Sequence, residues 1–105
     1  MQPDHPTLQK CRRTLHRLYG NRLKGLVLYG SCARGSDDSD SDIDLMVLLD
    51  GPVDAAQEIR HIWEVLYPVQ LESDRLLSVI AVDAICYTRG DYALYRHARA
   101  EGIPF

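Results

Sequence analysis

Two aspartates in alternation, Asp42 and Asp44, follow a Gly30-Ser31 pair across ten intervening residues, Cys32 to Ser41. In an extended strand, side chains two apart share a face, so these carboxylates converge while Ile43 between them turns to the core. Like charges held that close repel unless something neutralises them. A divalent cation does so directly, and magnesium takes hard oxygen ligands with few protein donors. Two such ions about 3.5–4 Å apart, bridged by carboxylates, drive in-line displacement at phosphorus. Gly30, at a strand end, permits close backbone approach to a ligand. Ser31 adds a hydroxyl beside exposed N–H groups at the start of a helical turn, an arrangement that suits phosphate. A phosphate cradle and a metal clamp in one strand-turn-strand unit predict nucleoside triphosphate chemistry.

Competing motifs fail on single residues. Asp38, Asp40 and Asp42 alternate as in a calcium loop, but Ile43 stands where an EF-hand needs glycine and Leu49 where it needs the closing glutamate. Gly30 and Gly35 have the Walker spacing, but Ser36 takes the place of the lysine. Asp37, Asp38 and Asp40 read as solvated loop residues. Arg34 has two readings, facing phosphates or bracing the loop against an aspartate. Cys32 lies beside the site. His5, His16, His61 and His97 show no metal-ligand spacing.

The elements that must hold these residues follow from periodicity. Leu8, Cys11, Leu15 and Leu18 recur at three- and four-residue steps with Lys10, Arg13 and Arg17 on the other side, an amphipathic helix with a solvated basic face and Gly20 as its stop. Leu26 to Tyr29 is a short apolar strand ending at Gly30. Ile43 to Leu49 is almost continuously apolar, a strand buried on both faces that stops at Asp50-Gly51-Pro52. Val53, Ala56, Ile59, Ile62, Trp63 and Leu66 have helical spacing, with Pro68 closing the helix. Residues 74 to 82 form a third strand, and one or two short helices follow around Gly90, with Gly102 as a stop. Helix, strand, strand, helix, strand, helix predicts an α/β or α+β domain, a small mixed sheet flanked by helices.

A chain of 105 residues fits one domain, 1–105, with one core, so a substrate needing its own domain must be held by another chain or another copy. The net charge of −3 argues against a dedicated nucleic-acid binder. Three widely spaced cysteines without a Cys-x-x-Cys pair indicate neither a disulfide framework nor a zinc knuckle. With no signal-peptide core and no apolar run near the ~18 residues of a membrane span, the expectation is a reduced, cytoplasmic protein with no membrane contact.

The stretch "GSCARGSDDSDSDID" resembles the signature of the DNA polymerase beta-type nucleotidyltransferase superfamily, Gly-Ser, ten residues, Asp-x-Asp. "GS-x-ARG" followed by "SDIDL" and an apolar strand is similar to the small stand-alone members called minimal nucleotidyltransferases, as is the terminal "LYRHARAEGIPF". The resemblance implies that Gly30 and Ser31 hold the triphosphate, with Arg34 beside them, and that Asp42 and Asp44 bind two magnesium ions. It implies a third carboxylate on a neighbouring strand, with Asp74 as the best match and Glu72 in reserve on the same strand parity. It implies transfer of AMP from ATP to an acceptor hydroxyl. It also implies an antitoxin role, in which a HEPN-type ribonuclease toxin is silenced by AMP placed on a tyrosine. The alternative is a catalytically silent module that holds nucleotide and neutralises a partner by contact.

Overall fold

The computed structural model describes every residue except Ser39. Helix α1 runs Pro6–Tyr19, strand β1 Leu23–Tyr29, the one-turn helix α2 Ser31–Arg34 and strand β2 Ile43–Leu49. Helix α3 covers Ala55–Glu72, β3 Leu77–Asp83, α4 Ala84–Arg89, α5 Ala93–Glu101 and β4 Ile103–Pro104. The four strands form one mixed sheet in the order β3-β2-β1-β4. β1 is antiparallel to β2 and to β4, while β2 and β3, joined through α3, are parallel.

The alternation of β2 sorts the molecule into two layers. Ile43, Leu45, Val47 and Leu49 join Leu8, Cys11 and Leu15 of α1 and Ile62, Leu66 and Val69 of α3 in the larger core cluster. Met46 and Leu48 turn the other way, to Val27, Val82 and Ala98 of α5. The strand is thus buried on both faces, as its unbroken apolar run predicts, and its bounds match the expected Ile43 to Leu49. Asp44 shares the second face with Met46 and Leu48, while Ile43 is 1% exposed within the first.

Several boundaries differ from the sequence expectation, each for a local reason. Helix α1 ends at Tyr19 with Gly20 at φ 53, as expected, but Leu18 stays 36% exposed at the edge of the stripe. Helix α3 begins after Asp54, whose side chain accepts from the Gln57 N–H. It does not close at Pro68 but runs through it to Glu72. Pro68 is exposed, so the carbonyl it leaves unpaired faces water, while burial of Leu66 and Val69 on either side holds the helix against the sheet. Strand β3 accordingly starts at Leu77, not at Asp74. The terminal "GIPF" adds β4, which has no counterpart in the sequence reading and pairs with Val27 and Leu28. No helix of the described residues is long and apolar enough to cross a membrane.

Candidate active site

The end of β1, the start of β2 and the turn between them meet at one edge of the sheet. Tyr29, the last residue of β1, stands opposite Asp44. Gly30 follows with φ 72, a conformation that L side chains rarely adopt, and a Cβ there would strike the Asp44 carboxylate. The sequence needs glycine here for two reasons, left-handed backbone and contact with a functional carboxylate. Helix α2 then makes a single turn: the Arg34 N–H reaches Gly30 O at 3.2 Å, and the Ser36 N–H reaches Ser31 O at 3.1 Å. Ser31 is half-buried at its start, while Cys32 is fully buried and anchors the turn.

Asp44 lies on β2 and Asp42 just ahead of it, close enough for their charges to interact. Burial, and then the neighbouring Asp42 charge, push the Asp44 carboxyl above the usual range; the neighbouring Ser78 hydroxyl and the Arg34 charge act the other way. Burial and then Asp44 likewise raise the Tyr29 hydroxyl. Among the described residues neither aspartate has a salt-bridge partner. The pair is therefore a concentration of negative charge that no salt bridge neutralises among the described residues. Its donors are hard oxygens, which fit magnesium.

The residues expected to supply a third carboxylate lie apart from this pair. Asp74 is exposed in the bend ahead of β3. Glu72 has no strand parity, because α3 extends to it, and it holds Lys10 at 2.7 Å on the surface. No group of three or more His, Cys, Asp or Glu that could hold a metal forms among the described residues. The β3 residue opposite Asp44 is Ser78, on the same face of the sheet.

Arg34 pairs with Glu101 of α5 at 3.7 Å, and its charge also acts on Asp44. Arg34 and Glu101 line a cavity of about 230 Å³ together with Tyr29, Gly30, Leu94, His97 and Ala98, so α5 forms one wall of the space beside Gly30. Asp38 and Asp40 are exposed and Asp37 is half-buried. Asp37 binds Arg75, and Asp38 accepts from the Asp40 N–H at 2.9 Å and from the Ser41 hydroxyl at 3.2 Å. Arg75, Ser78 and Glu101 were invisible to sequence reasoning because each acts across the chain, and no local spacing marks them.

A second cavity, about 680 Å³, opens at the far end of the sheet beside Glu58, which is 5% exposed. Its carboxylate is met by the Arg22 guanidinium, by the Tyr19 hydroxyl at 3.3 Å and by His61 Nδ1 at 3.5 Å. The larger hollow is thus not where unneutralised charge collects.

The family model described as nucleotidyltransferase domain matches residues 8–91. A crystal structure of a mutant of the toxin-antitoxin MntA-HpeT is similar at a TM-score of 0.60 and 20% identity, covering 92% of this chain and 70% of that one. A crystal structure of a toxin-antitoxin with AMP-PNP is similar at a TM-score of 0.60 and 22% identity, covering 91% of this chain and 69% of that one. A comparison with curated proteins gives no match.

Proposed function

This chain belongs to the nucleotidyltransferase domain family, and we propose that it transfers AMP from ATP, with magnesium, to a hydroxyl of a partner protein. The observation that carries the reading is the Asp42–Asp44 pair, without a salt bridge among the described residues, with Asp44 packed against the backbone of Gly30. Asp42 and Asp44 would hold the metal, and Gly30, Ser31 and Arg34 the triphosphate. Bound there, magnesium would neutralise phosphate charge and polarise the α-phosphoryl group. The short turn Gly30–Arg34 brings its N–H groups and the Ser31 hydroxyl to the phosphates, and the rigid β2 fixes the line along which the α-phosphorus meets its acceptor. The acceptor oxygen bonds to phosphorus as the α–β bridging bond breaks; pyrophosphate leaves and the hydroxyl proton passes to solvent.

A protein acceptor is supported by the small size of the site and by the two similar structures, both described as toxin-antitoxin and one holding AMP-PNP. The reading extends to an antitoxin whose partner is a HEPN-type toxin modified on a tyrosine. Leu94, 45% exposed on α5, lines the cavity beside Gly30 and offers a partner apolar contact close to the site. Asp74 is left out of the catalytic set because it stands in the exposed bend before β3.

The test supplies host lysate, magnesium and ATP labelled at the α- or the γ-phosphate. Label from the α position that depends on this protein, on protease-sensitive material, is the expected result; label that depends on this protein from the γ position and none from the α position means phosphoryl transfer and overturns the assignment. One observation favours a second reading, the silent binding module: two acidic side chains converge where a third is absent among the described residues. That reading predicts unchanged neutralisation of a partner by Asp42→Asn.

A further inference from the structure

We infer that Arg75 is the positioning residue of this site, its guanidinium fixing the peptide units on either side of Asp42 and so setting where the Asp42 carboxylate stands. The inference rests on the proposed metal and nucleotide role of Asp42.

Arg75 lies in the bend before β3, with its side chain 17% exposed. Its Nε donates to Ser41 O at 2.9 Å. Its Nη2 is shared among the Asp37 carboxylate at 2.8 Å, Asp38 O at 2.9 Å and Cys32 Sγ at 3.2 Å. One planar fork thus ties α2, the acidic turn and the approach to β2 to the neighbouring strand. The Ser41 carbonyl belongs to the peptide before Asp42, and the peptide after it is held as well: Cys32 Sγ donates to Asp42 O at 3.3 Å. The next N–H, of Ile43, reaches Leu76 O at 2.8 Å, one residue beyond Arg75.

Asp42 needs this restraint because it is exposed, repelled by Asp44 and, among the described residues, held by no salt bridge of its own. A ligand carboxylate free to swing away from a like charge would do so until a cation arrived, and metal binding would then bear the cost of ordering it. Arginine suits the task where lysine does not. Nε and Nη2 point at different carbonyls in fixed relation, whereas a lysine ammonium is one point charge.

The experiment is a double-mutant cycle read by manganese binding in the presence of ATP, using electron paramagnetic resonance of free Mn²⁺. Arg75→Lys is measured in the wild type and in an Asp42→Asn background, which retains Asp44 and the phosphates as ligands. The expected result is a loss of about tenfold in Mn²⁺ affinity in the wild type, the scale for groups that orient a metal ligand, and no further loss in the Asp42→Asn background. Asp37→Asn, which removes only the ion pair, repeats the cycle with a milder change and smaller loss should Arg75→Lys not fold. Equal losses in both backgrounds would mean that Arg75 only steadies the fold, and no loss in either would mean that it positions nothing; each overturns the inference while leaving the metal site standing. If Asp42→Asn alone binds Mn²⁺ as the wild type does, the site assignment falls and the inference falls with it.

Discussion

At one end of the sheet Glu58, 5% exposed, is surrounded by Arg22, Tyr19 and His61; at the other, Asp42 and Asp44 have no salt-bridge partner among the described residues. Both ends gather acidic side chains, and the difference lies in what the fold supplies around them. Burying a carboxylate is costly unless it is paired, and the Glu58 end meets that cost with its own groups. The Asp42 end keeps the repulsion, which adds to burial in raising the Asp44 carboxyl, and adds a glycine whose absent Cβ opens the backbone to the same carboxylate. Self-satisfied charge holds a structure together, while unsatisfied charge in a rigid frame is available to a ligand. Cavity size points the wrong way here, about 680 Å³ beside Glu58 and about 230 Å³ beside Gly30.

The contrast breaks most sharply at the aspartates. Asp44→Asn is expected to lower AMP transfer by on the order of 100-fold or more, as loss of a charge-stabilising group does, while the thermal midpoint stays level or rises because a repulsion is gone. Glu58→Ala should do the reverse. Removing the carboxylate strands Arg22 and Tyr19, a loss of about 1–3 kcal/mol by urea titration, with transfer retained. Gly30→Ala combines a positive φ with a clash at Asp44, and its ATP affinity, by calorimetry, should fall about tenfold for a strain of order 1–2 kcal/mol.

A smaller effect sharpens the comparison from the other side. Ser78→Asp places a third carboxylate opposite Asp44 and should lower the thermal midpoint without metal yet tighten Mn²⁺ binding several-fold. The smallest is a pH effect at the Glu58 end. Burial, and then the Glu58 charge, push the Tyr19 hydroxyl up to about 12 in the folded protein. The stability this contributes is complete below the unfolded value of about 10 and fades as pH rises toward about 12. Tyr19→Phe should flatten that part of the stability profile.

What could be read from the sequence is what local chemistry controls. Asp-x-Asp at a strand entrance, glycine at a strand end and an unbroken apolar run from Leu45 to Leu49 each speak through neighbours one or two residues away, and the bounds of β2 followed. Pro68 misled because its exposed side lets water take the freed carbonyl, a fact of packing rather than propensity. That one boundary moved Glu72 from a strand to a helix and β3 from Asp74 to Leu77. Arg75 was beyond reach for another reason: its partners lie 34 to 43 residues away in the chain. Arg34 likewise finds Glu101 only once β4 has brought α5 back against β1.

The most direct test of the central claim compares the wild type with the Asp42→Asn/Asp44→Asn double variant in host lysate containing magnesium and α-labelled ATP, after circular dichroism shows both to be folded. The account predicts label on a protein with the wild type alone. Equal labelling by both proteins would place the chemistry elsewhere, and labelling by neither, with ATP bound by the wild type, would contradict the transferase and leave the binding module.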